Sequence, residues 1–196
     1  MYETMCQLDR GAFIAGAASA LVTSALLTPL WRANASGLVK PQHSSRYVLW
    51  LQRMQTGESA AEPFSVDGRS VYMPGYERLC GVLRDLHVPL QEGDVQMSMR
   101  TIEALWSVQQ YLARAGIQEP IVVHSGYRTP RTNANTEGAA RQSYHMWAMA
   151  VDFHVPNVAM DYLAAICMAC PARGGVGYYP GGWVHLDTGP QRYWSG

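Results

Sequence analysis

The stretch SYHMWAMAVDF, residues 143–153, carries a histidine at 145 and an aspartate at 152, with six apolar residues between them. In a helix, positions seven apart share a face; in a strand they point to opposite faces. A second stretch, WVHLDTG, offers His185 and Asp187, and HSGYR ends in Arg128. His145 and His185 with one carboxylate, Asp152 or Asp187, make a three-ligand zinc set. Such a set leaves a fourth position for water, as a catalytic zinc requires. The carboxylate left outside that set can serve as general base. Arg128 can hold a substrate carboxylate or a polarised carbonyl oxygen. On spacing alone the signal is modest, because a lone histidine is more often structural.

Cysteine gives a rival chemistry. Cys167 and Cys170 form a C-x-x-C in CMAC. In an exported protein this can be a disulfide or a redox pair. A redox pair needs a helix N-terminus to activate a thiolate. This one lies at the C-terminal end of a helix read over 157–170, so two core-facing thiols are expected. Cys80 has no assigned partner, and no second C-x-x-C follows to build a zinc knuckle.

The elements that must position these groups follow from pattern. RYVLWLQRM (46–54) reads as a strand and TGES as a turn. FSVDGRSVYM (64–73) places Asp67-Gly68 between two β-prone runs, a hairpin signal. GYERLCGVLRDL (75–86) reads as a short helix. SMRTIEALWSVQQYLARAG (98–116) reads as a longer one, with Ser98 to cap it. Ile102, Leu105, Trp106 and Leu112 share its inner face, and Gly116 ends it. PIVVHSGY (120–127) is a buried strand, 128–142 a long loop, and GVGYY (175–179) and WVHLD (183–187) two short strands. Late strands with helices between them predict an α+β domain with a mainly antiparallel central sheet and flanking helices.

Of the 196 residues, 48% are hydrophobic and 15% charged, enough apolar material for one packed domain. The formal net charge of zero gives no sign of a nucleic-acid partner. Residues 11–30 carry no charge; Arg10 precedes them and Ala33-x-Ala35 follows. This reads as an export signal over 1–35, with DRGAFIAGA like a degraded twin-arginine signal. The alternative is a retained membrane tether through 11–30. Residues 36–45 read as a linker and 46–196 as the domain. Either N-terminal reading puts the domain in the periplasm or cell envelope.

SGYRTPRTN (125–133), SYHMWAMAVDF (143–153) and GGVGYYPGGWVHLDTGPQRYW (174–194) resemble the peptidase M15 superfamily. The likeness is to its branch of exported murein hydrolases once called domain of unknown function 882. The resemblance implies that His145, Asp152 and His185 bind zinc, and that Arg128 meets the substrate carboxylate or oxyanion. It implies that Tyr127, Asn133, Ser143 and Tyr178 line the substrate cleft, with Trp194 on substrate or, by preference, in the core. The activity implied is hydrolysis of a peptide bond in peptidoglycan stem peptides or crosslinks; the chain is expected to be a monomer. A binding module of the same fold without activity is the alternative. It implies further that His145 precedes a strand that ends near Asp152, with the apolar residues between them facing the core. The chain also departs from the family. Ala148 replaces a glycine, so a positive φ there would be strained. His124 and His154 stand where an aliphatic and a basic or polar residue are usual. Gly182 stands where other branches carry an acidic base, which leaves Asp187 as base or as the residue that orients His185.

Overall fold

Val, Leu and Trp run together in VLWLQR, and this segment is the first strand, β1 (Val48–Arg53). The structure, a computed structural model, describes residues 47–196; the expected signal or tether at 1–35 and the linker at 36–45 lie outside the described residues. After a turn the chain returns as β2 (Ser59–Pro63), antiparallel to β1. Three helices follow: α1 (Met73–Leu83), α2 (Leu90–Gly93) and α3 (Met99–Arg114). β3 (Ile121–Ser125) then leads to the short helix α4 (Pro130–Ala134) and a 3-10 turn at Tyr144–Trp147. β4 (Ala150–His154), α5 (Met160–Ala169), β5 (Gly175–Tyr179), β6 (Trp183–Asp187) and β7 (Arg192–Ser195) complete the domain.

The strands form one sheet in the order β2-β1-β3-β4-β6-β5-β7. The α+β expectation holds, but the sheet is mixed: β1 runs parallel to β3, and β5 to β7. The helical crossover between β1 and β3 is long enough to permit a parallel return, which a tight hairpin is not. Alternation along the central strands divides their chemistry. Val151 and Phe153 of β4, and Val184 and Leu186 of β6, enter one core with Leu79 and Leu83 of α1, Ile102, Leu105 and Leu112 of α3 and Leu163 of α5. Asp152, His185 and Asp187 take the opposite face.

Several local expectations change. Residues 64–73 form a single bridge, Ser65 to Val71, rather than a two-stranded hairpin. The Asp67 carboxylate accepts from the Arg69 and Ser70 amides (both 2.8 Å), which curls the segment into a loop. Within 128–142, α4 replaces part of the expected loop; Thr129 caps it by accepting from the Thr132 amide (3.2 Å). Ser98 makes no side-chain cap to α3. Between His145 and Asp152 not every apolar residue faces the core, since Trp147 is 65% exposed. Cys167 and Cys170 are fully buried free thiols, and Cys80 is buried as well. Among the described residues no helix is long and apolar enough to cross a membrane.

Candidate active site

β4 and β6 run antiparallel with Asp152 opposite His185 and Ala150 opposite Asp187. Directly opposed residues hold their Cβ atoms about 4.5–5.5 Å apart, so the Asp152 carboxylate and the His185 ring meet without reaching. His145 arrives from the 3-10 turn. Its Nε2 lies 3.2 Å from His185 Nδ1 and 3.2 Å from Asp152 Oδ1, while His185 Nδ1 and Asp152 Oδ1 are 2.8 Å apart. A tetrahedral ion with bonds of about 2.0–2.1 Å spaces its ligands by roughly 3.3 Å. Two imidazole nitrogens and one carboxylate oxygen at these separations fit a small four-coordinate cation. The three side chains are all buried, and they are the metal-capable cluster found among the described residues.

The far side of each group is held. His145 Nδ1 lies 2.6 Å from the Gly126 carbonyl oxygen, which can only accept; Nδ1 therefore carries the proton and the Nε2 lone pair faces the centre. Gly126 must be glycine, since a Cβ there would stand 2.3 Å from the Leu83 carbonyl oxygen. His185 Nε2 donates to Asp187 Oδ2 (2.9 Å), which aims Nδ1 inward. The second Asp152 oxygen accepts from Arg128, whose Nε donates to Ser125 Oγ (2.7 Å).

The electrostatics favour a positive charge at this point. Burial pushes the His145 imidazole below its ordinary pKa, which favours the neutral form that a metal can bind. Burial alone would raise Asp152, but His145 and His185 outweigh it and hold the carboxyl far below its usual range. Burial also opposes charge on His185, yet its bonds to Asp152 and Asp187 raise its pKa. Flanking carboxylates that attract a proton attract a metal ion for the same reason.

Asp187 is wholly buried. Its Oδ1 accepts from the Gly175 and Gly189 amides (2.8 and 2.9 Å) and from Arg192 Nη1 (3.1 Å). Its Oδ2 accepts from His185 and from Arg192 Nη2 (2.5 Å). Burial would raise its pKa, but these donors lower it to about 2. Every acceptor direction is taken, the arrangement of a group that orients His185 rather than one that faces water.

A cleft of about 440 Å³ opens over the centre, and Arg128 and Ser143 line it with the three candidate ligands. Tyr127, Asn133 and Tyr178, expected there from the sequence, do not. Tyr127 and Tyr178 pack against the core. Asn133 is buried and donates to the Ala140 carbonyl (3.0 Å), tying down the loop that follows α4. The cleft aromatics are Tyr144, Tyr179, Trp183 and Trp194. The register explains the substitution: Gly177 opposes His185 and Tyr179 opposes Trp183, so Tyr179 is on the site's face and Tyr178 on the other. Trp194 belongs to the cleft wall rather than to the core. Its ring lies 5.1 Å from that of His185, and its Nε1 donates to the Tyr179 hydroxyl (3.0 Å). Gly177 admits that ring, for a Cβ there would be 2.6 Å from it. Glu137 also lines the cleft; it is exposed, and its side chain makes no hydrogen bond or ion pair among the described residues.

Ala148 has φ 55° and ψ 31°, the left-handed geometry for which the family uses glycine. The cost to alanine is about 1–2 kcal/mol. The turn is held by bonds from the Ala148 amide to the His145 carbonyl (3.3 Å) and from the Ser98 amide to the Ala148 carbonyl (2.9 Å). The departure therefore leaves the path from His145 into β4 intact.

Residues 41–194 match the family model described as peptidoglycan L,D-endopeptidase MepK. The peptidoglycan L,D-endopeptidase MepK of Escherichia coli K12 is 34% identical over 152 residues, 75% of this chain and 79% of the relative. The probable peptidoglycan L,D-endopeptidase MepK of Haemophilus influenzae is 30% identical over 155 residues, 76% of this chain and 79% of the relative.

Proposed function

The chain belongs to this M15 family of peptidoglycan L,D-endopeptidases, and from that premise we propose that it is a zinc-dependent peptidase that hydrolyses a peptide bond in peptidoglycan stem peptides or crosslinks. The observation that carries the reading is the convergence of His145 Nε2, Asp152 Oδ1 and His185 Nδ1, each within 3.2 Å of the others. These three residues hold the ion. When bound, zinc acidifies a water ligand and polarises a carbonyl oxygen.

The remaining roles belong to the chain's own groups. Gly126 and Asp187 set the tautomers of the two histidines, so that both lone pairs point inward. Arg128 neutralises the outer oxygen of Asp152 and presents its guanidinium to the cleft, where it can bind a substrate carboxylate or the developing oxyanion. Ser143 and the aromatics Tyr179, Trp183 and Trp194 wall the cleft and can seat the peptide chain. Asp187 is assigned the orienting role. Glu137 is a cleft-wall carboxylate with no partner among the described residues, and it is available to accept the proton of the attacking water. Peptidoglycan as substrate places the work in the periplasm or cell envelope, a location that an export signal or a tether at 11–30 would serve.

The test is digestion of purified sacculi by the metal-loaded protein, with identification of the muropeptides released. New peptide ends that appear only with metal, and disappear in His145→Ala, support the reading. Sacculi left intact by protein carrying one zinc would overturn it.

A further inference from the structure

We propose that His124 and His154 form a second metal site, a two-imidazole clip for a late first-row divalent ion such as Cu(II), Ni(II) or Zn(II), beside the active centre and separate from it.

The two residues come from neighbouring strands, β3 and β4. Their pairing sets Val122 opposite His154 and Val123 opposite Phe153, then shifts before Ser125 meets Asp152. His124 is the extra residue at that irregularity. A bulge re-aims its side chain, and the result is that His124 Nε2 lies 2.6 Å from His154 Nδ1. The rings stand edge-on, with centroids 4.9 Å apart and planes at 78°. Both are half-buried, so each is held while the pair stays open to solvent. The Gln55 side chain donates to the His124 carbonyl (2.6 Å) and steadies the bulge. Neither position follows the family pattern, and the two departures touch each other.

The donor type selects the ion. Among the described residues no carboxylate hydrogen-bonds to either ring, which disfavours calcium and magnesium, ions that demand oxygen ligands. Paired imidazoles suit copper, nickel and zinc, with copper bound tightest. Metal–nitrogen bonds of about 2.0–2.1 Å put the two nitrogens roughly 3.3 Å apart, so the rings need separate only slightly. Waters complete the coordination.

The site is distinct from the active centre. His154 and Asp152 are two residues apart on one strand face, about 6.6–6.8 Å along the strand. Ions that share a bridging ligand lie about 3.5–4 Å apart. A filled clip would tie β3 to β4, the strands that lead to Arg128 and carry Asp152. It would also fix the imidazole beside which Trp183 of the cleft wall rests, 5.9 Å between ring centroids.

The probe is Cu(II), added to the full chain already loaded with zinc, with summed zinc and copper counted after desalting. Summing the two metals makes the count indifferent to exchange at the first site. The wild type is expected to hold one equivalent more than His124→Val/His154→Arg, which restores residue types usual in the family. The extra copper should show nitrogen coupling in its electron paramagnetic resonance spectrum. It should also raise the unfolding temperature of the wild type and not of the double variant, as a ligand of the folded state must. Equal metal content in the two proteins would overturn the proposal. So would a copper signal without the nitrogen coupling lost in the variant. The zinc content of the double variant reports on the active centre alone, so failure of the clip and failure of the zinc peptidase reading give different results.

Discussion

His145, Asp152 and His185 lie on three segments and converge; Cys167 and Cys170 lie three residues apart on one helix and are sealed away. Both sets were able to do chemistry on residue type alone. In the first, each ligand has its near atom turned to a common point and its far atom held by a carbonyl, a carboxylate or an arginine. In the second, burial raises both thiols, Cys170 to about 11 and Cys167 well above its ordinary value. The Cys170 thiol donates to the Ile166 carbonyl (3.4 Å), at the helix end where the backbone dipole is negative. A thiolate is opposed there by both burial and field. Proximity in sequence is thus no measure of a site; a shared focus with supported outer atoms is.

The largest effect should follow removal of a candidate ligand. His145→Ala or His185→Ala should abolish both metal binding and turnover, because two remaining ligands hold zinc poorly. Full zinc occupancy in either variant, read by elemental analysis, would remove the basis of the contrast.

Next in size is Glu137. Glu137→Gln keeps the shape of the loop and loses the basic oxygen, so turnover should fall by about 10²–10⁴-fold with zinc content unchanged. An unaltered rate would return the proton-accepting role to another group.

Asp187→Asn should lower zinc affinity by about 10–100-fold, the usual worth of a residue that orients a ligand. Turnover at saturating zinc should stay near wild type. The reverse pattern, normal affinity with slow turnover, would make Asp187 the base. The same carboxylate gives a pH signature. Its pKa lies below the ordinary carboxylate range, so its contribution to stability is complete above about pH 4 and is lost as pH falls through about 2. Acid unfolding of the Asn variant should lack that part of the curve.

The thiols should respond in the opposite way. Cys167→Ala/Cys170→Ala should leave turnover intact and cost about 1–3 kcal/mol of stability through lost packing, measured by denaturant unfolding. Slow hydrolysis by a folded, zinc-loaded double variant would give the pair a catalytic part.

The smallest expected effect is at the turn that delivers His145. Ala148→Gly relieves a left-handed alanine but adds chain entropy, so a gain of up to about 1 kcal/mol is expected. A loss would mean that the buried methyl matters more than the φ angle.

What could be read in advance divides along physical lines. Strands rich in Val, Ile and aromatics were legible: β1, β3, β5 and β6 all fall within the runs read from the sequence. SAAEP has no β-branched residue and becomes β2 only by pairing with β1, while β7 exists because β5 offers it an edge. α4 carries a start signal in its sequence, a capping Thr129 followed by Pro130 in the first turn. The candidate ligands were legible because their residue types are rare and their motifs specific. The cleft walls were not. Tyr178 and Tyr179 differ only in parity, which is decided by the register with β6 and is invisible until the partner strand is known. Asn133 looked like a substrate contact and instead serves its own loop.

The position of the ligand strands in the sheet has a consequence in time. β4 and β6 are interior strands, with β3 beyond one and β5 and β7 beyond the other. Backbone amides in such a place exchange with solvent only when much of the fold opens. Asp152 and His185 are partners across that pairing. Local breathing therefore does not separate them, and an ion they hold should persist through many rounds of turnover. Residues 135–142 are mostly exposed, and the Asn133 amide ties them at Ala140. With so little of it buried, that wall should open far more readily than the sheet beneath it. Amide exchange should register two separate rates: a slow one for the floor that carries the candidate ligands, and a fast one for the exposed cleft wall.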